Sequence, residues 1–447
     1  MNTPSRVLLL CWRDTGHPQG GGSERYLERV GTELASRGVE VTLLTARYPG
    51  SVRQERRDGI RIIRAGGRLG VYPSALAIIA AGRLGAGPLA GFDPDLVVDT
   101  QNGVPFFATT VSGAPTVVLV HHCHREQWPV AGRLLGHVGW FIESRLSPWV
   151  HRDNRYVTVS RPSARELAEL GVDPERITVI HNGIDPVPAD LLAPVGSPST
   201  ARLCVLSRLV PHKQVEHALD VVADLRHTRD DVHLDVIGGG WWDGKLRDHA
   251  TELGIDAYVT FHGHVDERRK HQLLAAADVH LMPSRKEGWG LAVIEAAQHG
   301  VPTIGYRSSV GLAESITHGD TGLLVDSVDE LISATRKLVD DPAAARRLGA
   351  DVALLGKLSA GHQAIEPPPD LPPVPPSWLR PRRPIPRAGT AAGDQAHVGN
   401  PPLCQQTLHR RGGSNTADPV LYLSNRQFNG AAHIAGGNTG GSQESDF

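Results

Sequence analysis

The densest chemistry in this 447-residue chain lies in SRKEGWGLAVIEAAQHGVP, residues 284–302. Glu287 and Glu295 are eight residues apart, a spacing that turns them by about 80° on one helix, so they do not share a face. A better geometry leaves Glu287 in a loop beside Gly288 and starts a helix near Gly290, with Glu295 inside it. The free N–H groups from Trp289 through Leu291 to Ala292 then point at an anion. Gly300 suits the position just past that helix, and Pro302 enforces the stop. Upstream, SRLVPHK (207–213) sets Arg208 and Lys213 at a strand end before a helix, two cations suited to a phosphate pair. Near the N-terminus, Gly20, Gly21 and Gly22 permit close backbone approach, and Ser23 is expected to cap a helix whose first N–H groups attract an anion. That loop does not have the spacing of a dinucleotide fingerprint. Nor does Gly238–Gly239–Gly240, where Asp243 takes the third glycine's place; close approach to a ligand remains the expected use of Gly239. HHCHREQW (121–128) invites a metal. However, alternation along a strand sends His121 and His122 to opposite faces, and no further ligand is suitably spaced, so no metal is expected. A strand-end histidine facing a cleft, able to hydrogen-bond or handle a proton, is the better reading. Each motif also has a plain structural reading, as flexible loop, solvated pair or buried histidine. The Gly-flanked Glu287 fits that plain reading least well.

These residues need elements to hold them. Short β-branched runs (RVLLLCW, VEVTLLTA, IRIIRA, DLVVDT, TVVLVHH, YVTVS) recur up to residue 160, with amphipathic helices such as SERYLERVGTELASR and SARELAELG between them. A second series (ARLCVLSRL, VHLDVIGG, YVTFHG, VHLMPS, VPTIGY, TGLLV) begins at Ala201, again alternating with helices. Continuous apolar strands alternating with helices predict parallel sheets covered on both faces. The strandless, Pro/Ser-rich stretch 185–200 separates the two series. The expected fold class is therefore α/β: a Rossmann-like domain over 1–187, a second over 200–357, and a cleft between the carboxyl ends of their strands.

Composition bounds the rest. A formal charge of −2 argues against a nucleic-acid binder, and four scattered cysteines argue against a disulfide framework or zinc finger and fit a reducing cytosol. The N-terminal apolar run reads as a strand rather than a signal peptide, and the tract from Val71 is too interrupted to span a membrane. Residues 359–447 hold 13 of the 33 prolines, ten of them between Pro367 and Pro386. Such a segment buries too little surface to offset chain entropy and is expected to be extended, then disordered. Residues 125–152 interleave Trp128, Trp140 and Trp149 with Arg125, Arg133, Arg145 and Arg152. They are expected to form a helix buried by its aromatics, with contact to an anionic membrane as the rival reading.

Taken together and in order, GGSE, IHNGID, SRLVPHK, the strand-following glycines and EGWGLAVIE resemble retaining glycosyltransferase family 4, of the GT-B fold, over about residues 5–350. The resemblance implies transfer of a sugar from a nucleoside-diphosphate sugar, which is a substrate and not a cofactor, to a hydroxyl of a glycan, lipid or small-molecule acceptor. It implies that Arg208 and Lys213 hold the diphosphate, Glu295 the ribose and Glu287 the transferred sugar, and that Gly21 and Gly22 close over the diphosphate. His121 or His122, with His121 favoured, is the first-domain histidine; Ser160, Asn182 and Gly183 match further cleft positions, and Val265 falls where the backbone meets the base. A front-face mechanism, in which the leaving phosphate takes the acceptor's proton, needs neither protein nucleophile nor metal. The alternatives are an epimerase or hydrolase acting on the same donor, or a binding protein without turnover. The enzyme is expected in the cytoplasm, with peripheral contact at the inner face of the membrane as the variant. The resemblance fades near residues 351–360, where relatives carry an apolar closing segment, and a changed reading frame or gene end is the expected cause.

Overall fold

The structure, a computed structural model, describes residues 4–349 apart from Gln19, Glu126 and residues 129–131 and 192–199. The expectations for the Pro-rich tail and for the departure near 351–360 lie outside the described residues.

The first domain runs β1 (Arg6–Leu10), α1 (Gly22–Ser36), β2 (Glu40–Ala46), β3 (Gln54–Arg57), β4 (Ile60–Ala65), α2 (Val71–Arg83), β5 (Leu96–Gln101) and β6 (Thr116–Val120). It continues with α3 (Arg133–Phe141), a π-helical turn at Ile142–Leu146, α4 (Ser147–Val150), β7 (Arg155–Thr158), α5 (Arg161–Glu169) and β8 (Ile177–Val179). Its sheet has the order β3-β4-β2-β1-β5-β6-β7-β8 and is parallel except for the β3–β4 pair. The second domain runs β9 (Ala201–Leu206), α6 (Glu216–Arg226), β10 (Val232–Ile237), α7 (Asp243–Glu252), β11 (Val259–Gly263), α8 (Glu267–Ala275) and β12 (Val279–Met282). It closes with α9 (Leu291–Ala297), β13 (Thr303–Tyr306), α10 (Leu312–Ser315), β14 (Gly322–Val325) and α11 (Val328–Asp340). That sheet is parallel throughout, in the order β11-β10-β9-β12-β13-β14.

Residue type explains why the sheets are covered on both faces. In β1, Leu8 and Leu10 enter one apolar cluster with α2, while Val7 and Leu9 enter another with Leu27 of α1. A strand with no polar face must be sandwiched. Burying each such leucine contributes about 1.5–3 kcal/mol. The tract from Val71 that is too interrupted to span a membrane supplies α2, which buries Val71, Ala75 and Ile79. Among the described residues no helix is long and apolar enough to cross a membrane.

Strand order reverses beside β1, which lies between β2 and β5, and beside β9, which lies between β10 and β12. Loops leaving the carboxyl ends at such points diverge and open a crevice. The two reversals place the Gly20–Gly22 loop after β1, Ser207–Lys213 after β9 and Pro283–Gly290 after β12; His121–His124 follows the neighbouring β6. One apolar cluster crosses the domain boundary. Val159 and Ile184 pack with Met282, Trp289, Val293, Ile294, Leu312 and Ile316.

Candidate active site

The second-domain wall is built from two loops. After β9 a single 3₁₀ turn, Pro211–Lys213, is followed by Gln214 in the left-handed region. After β12, Arg285 donates its N–H to the His212 carbonyl at 2.9 Å, tying the two loops together. The tie brings Lys213 Nζ to 2.5 Å from Glu287 Oε1, with both side chains largely buried. Glu287 lies in the loop and Glu295 inside α9, as their spacing predicts; Gly290 precedes the helix at φ 84° and Gly300 follows it at φ 72°. The peptide joining Glu287 to Gly288 is held from two sides. A Cβ on Gly288 would lie 2.7 Å from the His121 carbonyl oxygen, and one on Gly311 would lie 2.3 Å from the Glu287 carbonyl oxygen. No other residue fits at 288 unless the domains part. Trp289 is buried, its ring 5.6 Å from that of His181.

The first-domain wall is a glycine loop laid over buried ion pairs. Its glycine loop is fixed from beneath: Asp14, fully buried against Arg64, accepts the Gly16 N–H at 2.7 Å, and Glu28 takes the Thr15 N–H at 2.7 Å. Ser23 does not cap α1. The helix starts two residues earlier than that, with Gly21 as N-cap, and Glu24 reaches back to accept the Gly21 N–H at 2.9 Å, half of a capping box. Gly22 then abuts Leu291 of α9; a Cβ there would lie 2.9 Å from its Cδ1. Arg13, near the start of this loop, has its pKa lowered by burial, and nearby Arg208 and Arg68 act in the same direction.

His121 and His122 lie just past β6, outside the strand, and meet different neighbours. The His121 ring meets Tyr26 edge-on at 5.3 Å, and its buried Nε2 has no partner among the described residues. Burial, with His124 nearby, lowers its pKa to about 4, so it is neutral at ordinary pH. His122 is pushed well below its usual value by burial, then by His124, His121, Lys213 and Lys286. The Gln127 amide nitrogen, which can only donate, gives a hydrogen bond to His122 Nε2 at 3.0 Å. Glu143 on the π-helical turn holds this loop, accepting from the His124 N–H at 2.9 Å and from Trp128 Nε1 at 2.6 Å. Lys286 crosses to Glu166 of α5 at 2.6 Å.

The remaining predicted positions divide. Asn182 is buried with Oδ1 unpartnered among the described residues. Ser160 is fully buried, and its hydroxyl caps α5 through the Ser163 N–H at 3.2 Å and Oγ at 2.9 Å, so it builds the wall. Gly238 and Gly240 serve packing, because added Cβ atoms would strike the Ser207 and Leu209 carbonyls at 1.9 and 2.1 Å. At Gly239 the nearest atom is 3.7 Å away, which leaves it the open one. Val265 packs against the cluster of Cys204, Ile237, Leu273, Leu274, Ala296 and Val301. Trp128 is slotted between Gly103 and Gly139, but the rest of 133–149 is not buried by its apolar side chains. Leu134, Leu135, Val138, Phe141 and Trp149 are half of the ten large apolar side chains exposed among the described residues. Glu295 bonds to Lys270, which the motif reading did not single out; nor did it find Arg13, His212 or Lys286. The two residues adjoining Lys213 and Glu287 in sequence were findable from that adjacency alone.

Two family profiles match the chain: Glycosyltransferase Family 4 over residues 20–187, and Glycosyl transferases group 1 over residues 196–352. Glycogen synthase of Mycobacterium tuberculosis is 30% identical over 379 residues, covering 76% of this chain and 88% of that protein. The GDP-mannose-dependent alpha-(1-6)-phosphatidylinositol monomannoside mannosyltransferase of the same organism is 29% identical over 378 residues, covering 77% and 92%. Sucrose-phosphate synthase from Thermosynechococcus elongatus superposes with a TM-score of 0.65 at 21% identity, covering 79% of this chain and 94% of that one. These matches agree with the two-domain GT-B architecture.

Proposed function

This chain belongs to glycosyltransferase family 4, and we propose that it moves a sugar from a nucleoside-diphosphate sugar to an acceptor hydroxyl with retention at the anomeric carbon. The observation that carries the reading is the Lys213–Glu287 pair set against the His121–Gly288 backbone contact, where the carboxyl ends of both sheets meet. Arg208 and Lys213 take the diphosphate, and charge growing on the leaving oxygen is stabilised by cations already in place. Glu287, oriented by Lys213, meets hydroxyls of the transferred sugar, and Glu295 meets the ribose. Gly21 and Gly22 close over the diphosphate, and Gly239 and Val265 border the base. His121, neutral by burial, hydrogen-bonds without adding charge. The bond from the anomeric carbon to the diphosphate breaks as the bond to the acceptor oxygen forms on the same face. The acceptor's proton passes to the departing phosphate oxygen, a route that uses no protein nucleophile and no metal.

A lipid-linked acceptor is favoured by the exposed stripe of α3 and α4. Leu134, Leu135, Val138, Phe141 and Trp149 face solvent beside Arg145 and Arg152, a pattern suited to an anionic bilayer surface. The lipid-named mycobacterial mannosyltransferase supports that choice. The enzyme then works in the cytoplasm, at the membrane's inner face.

A thermal-shift screen of UDP, GDP, ADP and their sugars identifies the donor, because selective binding raises the melting temperature. Transfer is then assayed with and without acceptor. Product only with acceptor supports transfer, donor turnover without it points to the epimerase or hydrolase, and binding without turnover points to a binding protein. Flotation with phosphatidylglycerol vesicles tests the stripe, and Leu135→Ser/Phe141→Ser is expected to abolish co-flotation.

A further inference from the structure

Glu295 is not isolated. Its Oε1 accepts from Lys270 Nζ at 2.5 Å, and its Oε2 has no partner among the described residues. Lys270, on α8 and nearly buried, also bonds Glu267 Oε2 one turn away at 2.8 Å. The other oxygen of Glu267 is bonded by Arg25, which belongs to α1 in the first domain. Arg25 also reaches Asp185 Oδ2 at 2.7 Å, and Arg29 donates to the same carboxylate at 2.8 Å. Gln298, three residues past Glu295, donates to the Asp185 carbonyl at 2.8 Å. Although burial opposes its charge, Glu295 and Glu267 hold the Lys270 ammonium above its ordinary pKa, so it stays a cation shared by two carboxylates.

We infer that Arg25, Glu267 and Lys270 form an ionic chain that couples the docking of α1 on the second domain to the placement of the Glu295 carboxylate, and so to affinity for the donor's ribose. The inference rests on the assignment of Glu295 to the ribose. With α1 docked, Arg25 satisfies one oxygen of Glu267, and Lys270 is left to fix Glu295 by Oε1 while Oε2 faces outward for hydroxyls. With α1 withdrawn, Glu267 draws Lys270 along α8, and the Glu295 side chain loses its anchor. Lys270 is a positioning residue in this scheme, and Glu267 is the competitor that makes its position depend on the other domain. Individual pairs as exposed as Arg25–Glu267 are weak; the coupling lies in the competition for one largely buried ammonium.

The competition predicts a suppression that a merely structural role does not. Calorimetric titrations of the full chain with UDP and GDP, and with their 2′,3′-dideoxy counterparts, read ribose discrimination as the ratio of the two affinities for whichever base binds. Arg25→Gln and Lys270→Met are each expected to reduce that ratio about fivefold to tenfold, with dideoxy affinity unchanged. Arg25→Lys should retain most of the ratio. Adding Glu267→Gln to Arg25→Gln should restore it, because the competitor is gone. Equal losses for ribo and dideoxy ligands, or failure of Glu267→Gln to suppress Arg25→Gln, would overturn the coupling. Glu295→Gln separates the two claims. If it abolishes discrimination while the Arg25 and Lys270 variants keep theirs, the coupling alone is wrong. If it leaves discrimination intact, the ribose assignment is wrong and the coupling falls with it.

Discussion

The two walls of the cleft are made of different materials. The second domain contributes paired charges, Lys213 with Glu287 and Lys270 with Glu295, each pair joining residues from separate loops or helices. The first contributes backbone, glycines and imidazoles that burial keeps neutral, His121 foremost. The difference teaches that the second wall pairs its charges at the reacting centre, while the first sets shape there and brings its charge through Arg13 and, on α1, Arg25. A diphosphate is held where cations are pre-placed and desolvated. At Gly288 the task of the opposite wall is close approach.

The most severe way to break that contrast is to remove charge from the second wall. Lys213→Met is expected to lower kcat by roughly 10²–10³-fold, the range for losing one pre-placed electrostatic contact at the reacting group. Steady-state kinetics with the identified donor check this. A loss confined to KM would mean that Lys213 binds ground state and transition state equally. Next comes shape. In Gly288→Ala the new methyl would sit 2.7 Å from the His121 carbonyl oxygen. Displacing the walls by less than an ångström is expected to cost on the order of 10²-fold in kcat/KM. Gly244→Ala on α7, with nothing within 4 Å of the added methyl, should fold and bind diphosphate nearly as the wild type, which makes it the control. The last expected effect is on stability rather than rate, and concerns protons. His121 has a folded pKa of about 4 against an ordinary 6.5. For a base depressed on folding, the stabilisation is complete above 6.5 and is lost as pH falls from there through 4. The full contribution is on the order of 3 kcal/mol. His121→Asn should therefore flatten the loss of unfolding free energy between pH 6.5 and 4.5. The wild-type imidazole signal in NMR should stay at its neutral plateau down to about pH 5. A His121 titration near 6.5 would make the first wall a charged one after all.

How far the site was legible in the sequence follows the same division. The second wall was readable because its chemistry sits in contiguous motifs. The spacing of Glu287 and Glu295 alone separates loop from helix, and both sheets follow from apolar runs alternating with amphipathic stretches. What escaped was whatever depends on neighbours distant in sequence. Arg25 and Glu267 are unremarkable helix residues until α1 and α8 are brought side by side. Ser23 was a reasonable cap by type, yet Glu24 three residues past Gly21 decided where α1 begins. Glycine is ambiguous by nature: Gly238 and Gly240 adjoin Gly239 in sequence, and only the Ser207 and Leu209 carbonyls show which ones packing requires. The stretch 133–149 misled because aromatic content does not say which way a helix turns: Phe141 and Trp149 are exposed, while Trp128 slots between Gly103 and Gly139.

The apolar cluster that joins Val159 and Ile184 to Trp289, Val293 and Leu312 bears on how such a chain can be recombined. A chimera that takes its donor half from a relative and cuts just before β9 leaves Val159 and Ile184 facing a surface they were not shaped for. Those two side chains belong sterically to the half that follows them. A functional exchange must carry them along or repack them. The seam along which the two halves can be inherited separately therefore does not coincide with the gap between the sheets.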